Sequence, residues 1–193
     1  LFAQAREQGL PVHIYRPGLL VGDDRTGICP ADNVIWIFLK TCLAIGVGPD
    51  SGNSTLLTPV DFVASAIVGL SLNLTGTGRN YHLINPAAPG FREVLKLTRD
   101  FGYSIREVSE AQWEADLVGG DLGMQQNPLA VYQLFIPRQV LFNLTQERSA
   151  EFCHNALQDL HGSGITCSPI DQARMNLYLQ HLSSIGFLPP AGT

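Results

Sequence analysis

Apolar and polar positions alternate differently along the two parts of this 193-residue chain. The first ninety residues mix short apolar runs with amphipathic stretches, and the remainder carries mainly helical spacing. Leu1 to Gln8 reads as a helix that Gly9 ends. Pro11 to Tyr15 is a short strand whose largely apolar character suits a parallel sheet covered on both faces, and Arg16-Pro17-Gly18 breaks it. Gly22 to Gly27 is a polar loop. Asp32 is placed to cap a helix running to about Ile45, with Ile35, Phe38, Leu39 and Cys42 at the three-four spacing of a buried stripe. Gly46 closes that helix, and Gly46 to Ser54 reads as a flexible loop. Thr58 then stands as an N-cap, Pro59 in the first turn and Asp61 as a capping-box carboxylate. Val63, Ala66, Ile67 and Leu70 form the buried face behind them. Tyr81 to Ile84 is a second short strand, ended by Asn85-Pro86.

Beyond this point the pattern predicts an amphipathic helix from Phe91 to Phe101, stopped by Gly102. Tyr103 to Val108 alternates like an exposed strand, and Ser109 caps a helix containing Trp113. Leu117 to Gln126 is Gly-rich and predicts a mobile connector. Pro128 to Phe135 and Ala150 to Leu160 have helical spacing. Asp171 to Ile185 forms a last helix with Met175, Tyr178, Leu179 and Leu182 on one side and Gly186 at its end. The change of pattern places a boundary between residues 1–90 and 91–193. The expected fold class is α/β: the C-terminal part of a Rossmann-like parallel-sheet domain, followed by a smaller, mainly helical substrate-binding subdomain. In such folds ligands sit beyond the carboxyl ends of the strands, which draws attention to Arg16-Pro17-Gly18.

Composition narrows the function classes. Hydrophobic residues at 45% and charged residues at 15% describe a globular chain rather than a disordered one. A net charge of -5 without clustered Lys and Arg argues against nucleic acid. No apolar run reaches bilayer-spanning length, and Leu1 to Glu7 reads as the end of an amphipathic helix rather than a signal peptide. Cys29, Cys42, Cys153 and Cys167 form no C-x-x-C pair. Cys42 and Cys153 fall in helical patterns as small core hydrophobes, and a reduced, cytoplasmic setting is expected. The triplets at Asn53, Asn73 and Asn143 match the glycosylation pattern without any sign of secretion.

Several chemistries lack their residues. A dinucleotide site needs a glycine-rich turn from strand to helix, and neither Gly76-Thr77-Gly78 nor Gly119-Gly120 is so placed. Nicotinamide-dependent carbonyl reduction needs a proton donor, commonly Tyr with Lys four residues on, whose charge lowers the tyrosine pKa. Here Tyr15 is followed at that spacing by Leu19, Tyr81 by Asn85 and Tyr103 by Glu107. No G-x-S-x-G elbow is present. His154 and His161, seven apart, lack metal-ligand spacing, and Asp23, Asp24 and Asp32 lack that of a calcium loop. What remains is the Arg-Pro-Gly corner. It reads either as a strand terminator or as a surface for a flat nicotinamide, since Pro17 has no N–H and Gly18 no side chain.

The string Gly9-Leu10-Pro11-Val12-His13-Ile14-Tyr15-Arg16-Pro17-Gly18 resembles the thioester reductase domains that end many nonribosomal peptide and polyketide synthetases. These domains are of the extended short-chain dehydrogenase/reductase type and are related to carboxylic acid and aminoadipate reductases. The resemblance continues through Gly22-Asp23, Thr26-Gly27, Thr58-Pro59-Val60-Asp61-Phe62-Val63 and Tyr81-His82-Leu83-Ile84-Asn85-Pro86. It reaches Gly102-Tyr103, Trp113, Gly164-Ile165-Thr166-Cys167 and Gly186-Phe187-Leu188. It implies NADPH-dependent reduction of an acyl or peptidyl thioester held on a phosphopantetheine arm, releasing an aldehyde or alcohol. It also implies a carrier-protein domain as partner. Pro17, Gly18 and Leu19 match the backbone that faces the nicotinamide, and Gly22, Asp23 and Thr26 the loop at the substrate mouth. The region after Phe91 matches a helical subdomain that covers the acyl chain. The family's Tyr and Lys lie upstream of the strand matched by Pro11 to Tyr15. The expectation is therefore a C-terminal half, inactive alone, with no catalytic residue of its own. Two other readings remain: a nucleotide-sugar epimerase or hydroxysteroid dehydrogenase relative, and a non-catalytic acyl- or carrier-protein-binding module.

Overall fold

Parallel strand pairs joined through helices build this molecule, in the Rossmann-like α/β manner, and mainly helical structure follows them. The computed structural model describes residues 2–72, 78–119 and 152–192. The helix expected at Pro128 to Phe135, the connector beyond Gly119 and the triplets at Asn73 and Asn143 lie outside these residues.

Helix α1 (Phe2–Glu7) ends where Gly9 takes φ +85°, a conformation open to glycine without Cβ strain. Strand β1 (Ile14–Pro17) starts three residues later than the apolar run predicts. Pro11 is exposed, and Val12 is occupied locally: its carbonyl accepts from Arg6 Nε at 2.8 Å. β1 is also only half covered, with Arg16 and Pro17 exposed, rather than buried on both faces. The strand does not stop at Gly18 but continues as β2 (Leu19–Leu20).

Helix α2 (Val34–Ile45) is capped by Asn33, not Asp32. Asn33 accepts from the Ile35 N–H and donates its side-chain amide to the Leu20 carbonyl, a double role that a carboxylate cannot fill. Its predicted stripe is buried, joined by Trp36, Ile37 and Thr41. The expected flexible loop after Gly46 instead contains a buried strand, β3 (Val47–Pro49). The short strand β4 (Leu57–Thr58) precedes α3 (Val60–Leu72), and β5 (Asn80–Leu83) follows. Then come α4 (Phe91–Asp100), β6 (Arg106–Val108), α5 (Glu110–Gly119), α6 (His154–Asp159) and α7 (Gln172–Ser184). Ser109 caps α5 as predicted, accepting from the Gln112 N–H, and Asp171, the first residue of the predicted last helix, caps α7 by accepting from the Arg174 N–H.

Among the described residues three parallel pairs form: β1 with β5, β2 with β4, and β3 with β6. Two apolar cores flank them. The larger joins Trp36, Leu39 and Cys42 of α2 to Leu57, to Val94 and Leu95 of α4, and to Met175, Tyr178, Leu179 and Leu182 of α7. It therefore draws on residues from both sides of position 90. The smaller gathers Phe62, Val63, Ala66 and Leu70 of α3 around Tyr81, Leu83, Ala156 and Leu160. α6 is locked to β5 by polar contacts as well. Arg79 Nη1 meets both Asp159 oxygens at 2.7 and 2.8 Å, and the Tyr81 hydroxyl donates to Asp159 Oδ2 at 2.9 Å. None of the four cysteines is in a disulfide, and Cys29, Cys42 and Cys153 are buried.

Candidate functional site

The candidate site lies where the parallel strands end, and it begins at Gly18. The Gly18 N–H donates to the Leu83 carbonyl of β5 at 3.0 Å, while the next N–H, of Leu19, donates to the Leu56 carbonyl at 2.9 Å. The Val21 N–H continues the second ladder to Thr58 at 3.0 Å. Arg16-Pro17-Gly18 is thus a change of partner within one extended segment, not a strand terminator.

Close approach explains the glycine. A Cβ at Gly18 would lie 2.6 Å from Thr58 Oγ1 and 2.7 Å from the Leu56 carbonyl oxygen. The missing side chain admits β4 rather than leaving open space. Leu56 itself holds φ +55°, the left-handed region, and is the one non-glycine residue with positive φ among those described. The fully buried Thr58 hydroxyl donates to the Leu56 carbonyl at 2.9 Å and accepts from the Asn85 N–H at 3.1 Å. Thr58 therefore ties β4 to the end of β5. It is the last residue of a strand and not the N-cap of α3 that the sequence predicts.

Asp61 departs from its predicted capping-box role in the same way. Its Oδ1 accepts from the Asp24 N–H at 3.2 Å, across to the loop that follows β2. Burial raises its pKa above the ordinary 3.8, and the neighbouring Asp24 carboxylate adds to the shift.

Within that loop, Gly22 is buried. Its carbonyl accepts from the Val60 N–H at 3.3 Å and from the Tyr178 hydroxyl at 3.3 Å. A Cβ there would meet the Ile28 carbonyl at 2.6 Å and Tyr178 Cε1 at 2.9 Å. Asp23 Oδ1 accepts from the N–H groups of Arg25 and Thr26 and from Thr26 Oγ1, at 3.1, 2.8 and 2.9 Å. The Thr26 bonds hold the Asp23 pKa below its usual value. Asp23 and Thr26 thus form a self-satisfied turn. Ile28 and Val60, whose backbones meet Gly22, leave their apolar side chains exposed, at 62% and 38%.

So the structure brings Pro17, Gly18 and Leu19 to the sheet end and places Gly22, Asp23 and Thr26 in the adjoining loop. Pro17 is exposed, whereas Leu19 packs against the larger core. Sequence reasoning missed Leu56, Asp24 and Arg174, and it misassigned Thr58 and Asp61. Arg174 and Tyr178 are one helical turn apart, which a sequence shows, but the loop residues they bind, Asp24 and Gly22, lie more than a hundred residues away. Among the described residues no group of His, Cys, Asp and Glu could hold a metal ion. None of the described helices is long and apolar enough to cross a membrane.

The chain is similar in sequence and fold to several known proteins. An NAD-binding family model described as male sterility protein matches residues 1–67. The isonitrile lipopeptide synthase of Streptomyces coeruleorubidus is 34% identical over 100% of this chain and 13% of that protein. The L-2-aminoadipate reductase of Saccharomyces cerevisiae is 28% identical over 98% of this chain and 14% of its own length. Among solved structures, the terminal R domain from the myxalamid PKS-NRPS biosynthetic pathway superposes with a TM-score of 0.86 at 33% identity. That match covers 99% of this chain and 49% of the other. A thiolation-reductase di-domain from an archaeal non-ribosomal peptide synthetase shares the fold, with a TM-score of 0.76. The chain thus spans about half of the solved terminal R domain and a small fraction of the curated relatives.

Proposed function

We propose that this chain, a member of the reductase-domain family of nonribosomal peptide and polyketide synthetases, forms one wall of a pocket for NADPH-dependent reduction of a carrier-bound acyl or peptidyl thioester. The product released is an aldehyde or alcohol. The observation that carries this reading is the superposition of 99% of the chain on a terminal R domain, with the partner exchange at Gly18 at its sheet end.

The residues present fit the nicotinamide end of the cofactor. Pro17 is exposed at the carboxyl end of β1 and has no N–H to leave unpaired beneath a flat ring. Pro17, Gly18 and Leu19 would support that ring, and the bound cofactor supplies the hydride. No strand-to-helix turn among the described residues carries the glycines that a pyrophosphate needs. A thioester carbonyl must also be held close to the donor, and its oxygen must meet a proton source. This chain's contribution is to position the acyl group. Gly22, Asp23 and Thr26 shape the loop at the substrate mouth, with the Asp23–Thr26 turn consuming its own polar groups. Ile28 and Val60 offer the apolar surface on which an acyl chain rests. The partner would be a carrier-protein domain bearing phosphopantetheine.

The test begins with the coding DNA ahead of Leu1. It is expected to encode a glycine-rich turn and a Tyr-x-x-x-Lys pair. Protein expressed from that whole reading frame should oxidise NADPH when given an acyl-pantetheine thioester. A frame lacking both elements would point to the non-catalytic binding module instead.

A further inference from the structure

The loop from Gly22 to Ile28 is held from outside by α7, at three points. The Tyr178 hydroxyl donates to the Gly22 carbonyl. A Cβ at Gly27, which holds φ +72°, would lie 2.4 Å from the Leu177 carbonyl oxygen, so the loop backbone lies directly on the helix. Between these contacts, Arg174 Nε donates to Asp24 Oδ2 at 3.1 Å, bridging 150 residues of sequence. The same guanidinium reaches Asp171 Oδ2 at 3.1 Å through Nη1.

Two features separate this ion pair from an ordinary surface contact. The Asp24 side chain is only 11% exposed and that of Arg174 26%, so water screens the pair weakly. A second carboxylate, Asp61, also faces Asp24 and binds its backbone N–H. Arg174 is the cation set against this acidic pair. Without it, like charges would meet at the centre of the loop and push Asp24 away from α3. Its planar fork also ties Asp24 to the N-cap of α7 in one rigid unit, which a lysine cannot reproduce.

We infer that Arg174 is a positioning residue that sets the Gly22–Ile28 loop through Asp24 and so fixes the rim on which a bound acyl group rests. The last clause rests on the function proposed above; the hold on the loop does not. Hydrogen exchange of the full chain reads that hold directly. Arg174→Gln should raise exchange of the amides from Asp23 to Ile28 by about tenfold, the size expected for losing one charge-assisted bond. Amides of α4 and β6 should keep their rates. Asp24→Asn should produce the same local loosening, and the double variant should add little to either single one. Unchanged loop exchange in Arg174→Gln, or an equal rise across the whole chain, would overturn the inference. In the enzyme expressed from the whole reading frame, Arg174→Gln should raise KM for an acyl-pantetheine thioester while leaving kcat near the parent value. A loosened loop with KM unmoved would remove the loop from the acyl rim and leave the Arg174 contact standing.

Discussion

Gly18 is fixed by its protein neighbours. Thr58 Oγ1 and the Leu56 carbonyl fill the volume a methyl group would need. Both belong to backbone-anchored groups with little freedom to retreat. Gly18→Ala is therefore expected to cost about 1–3 kcal/mol, as overpacking does, measured by urea denaturation with an unchanged m-value. Asp61 gives the opposite sign at neutral pH. Burial and the Asp24 carboxylate raise its folded-state pKa above 3.8. A raised carboxyl favours the fold when protonated, so its contribution is present below the unfolded pKa and is lost as pH rises through the folded one. Ionised Asp61 thus works against the fold at pH 7. Asp61→Asn keeps an acceptor for the Asp24 N–H, so its Tm at pH 7 should exceed the parent's. That advantage should shrink as the pH falls below the carboxylate range. Thermal scans across that range check both. Residue roles were legible where their cause is local. Gly9, Gly46, Gly102 and Gly186 all adopt the positive φ that their place after a helix implies. Thr58 and Asp61 were not legible, because Asn85 and Asp24, which claim their side chains, lie in other elements.

Helices were read better than strands, for a physical reason. α2, α3, α4 and α7 each repeat their apolar spacing over several turns, so the buried face shows in the sequence. β2, β3 and β4 have two or three residues each, too few for any periodicity to register. β3 is recognisable only through its partner: Val47, Gly48 and Pro49 pair with Arg106, Glu107 and Val108. A Cβ at Gly48 would lie 2.7 Å from Leu95 Cδ1, which accounts for glycine in a strand otherwise read as loop. α7 carries a larger load than its length suggests. Met175, Tyr178, Leu179 and Leu182 close the larger core, and Arg174 and Tyr178 reach the strand-end loop. Leu179→Ala should therefore destabilise the chain by about 2–5 kcal/mol through the cavity it leaves. Loss at the low end would mean that α7 settles inward, which exchange rates in the Gly22–Ile28 loop would register.

At the scale of the whole molecule, two cores meet at one seam. Leu19 packs against the larger and Leu20 against the smaller, so the segment just beyond Gly18 borders both. Repacking in either core therefore reaches the backbone just beyond Gly18 through Leu19 or Leu20. The described residues supply an exposed proline and an apolar rim, but no glycine-rich strand-to-helix turn to receive a pyrophosphate. Most of a dinucleotide's binding strength comes from such phosphate contacts at a helix N-terminus. Calorimetric titration of the 193-residue chain with NADPH is therefore expected to show weak or undetectable binding, with a Kd no tighter than about 1 mM, equivalent to roughly 4 kcal/mol. Micromolar binding would require phosphate contacts other than a glycine-rich strand-to-helix turn, which the described residues lack. It would move the cofactor site away from the Gly18 seam and remove the physical basis for assigning Pro17, Gly18 and Leu19 to the nicotinamide.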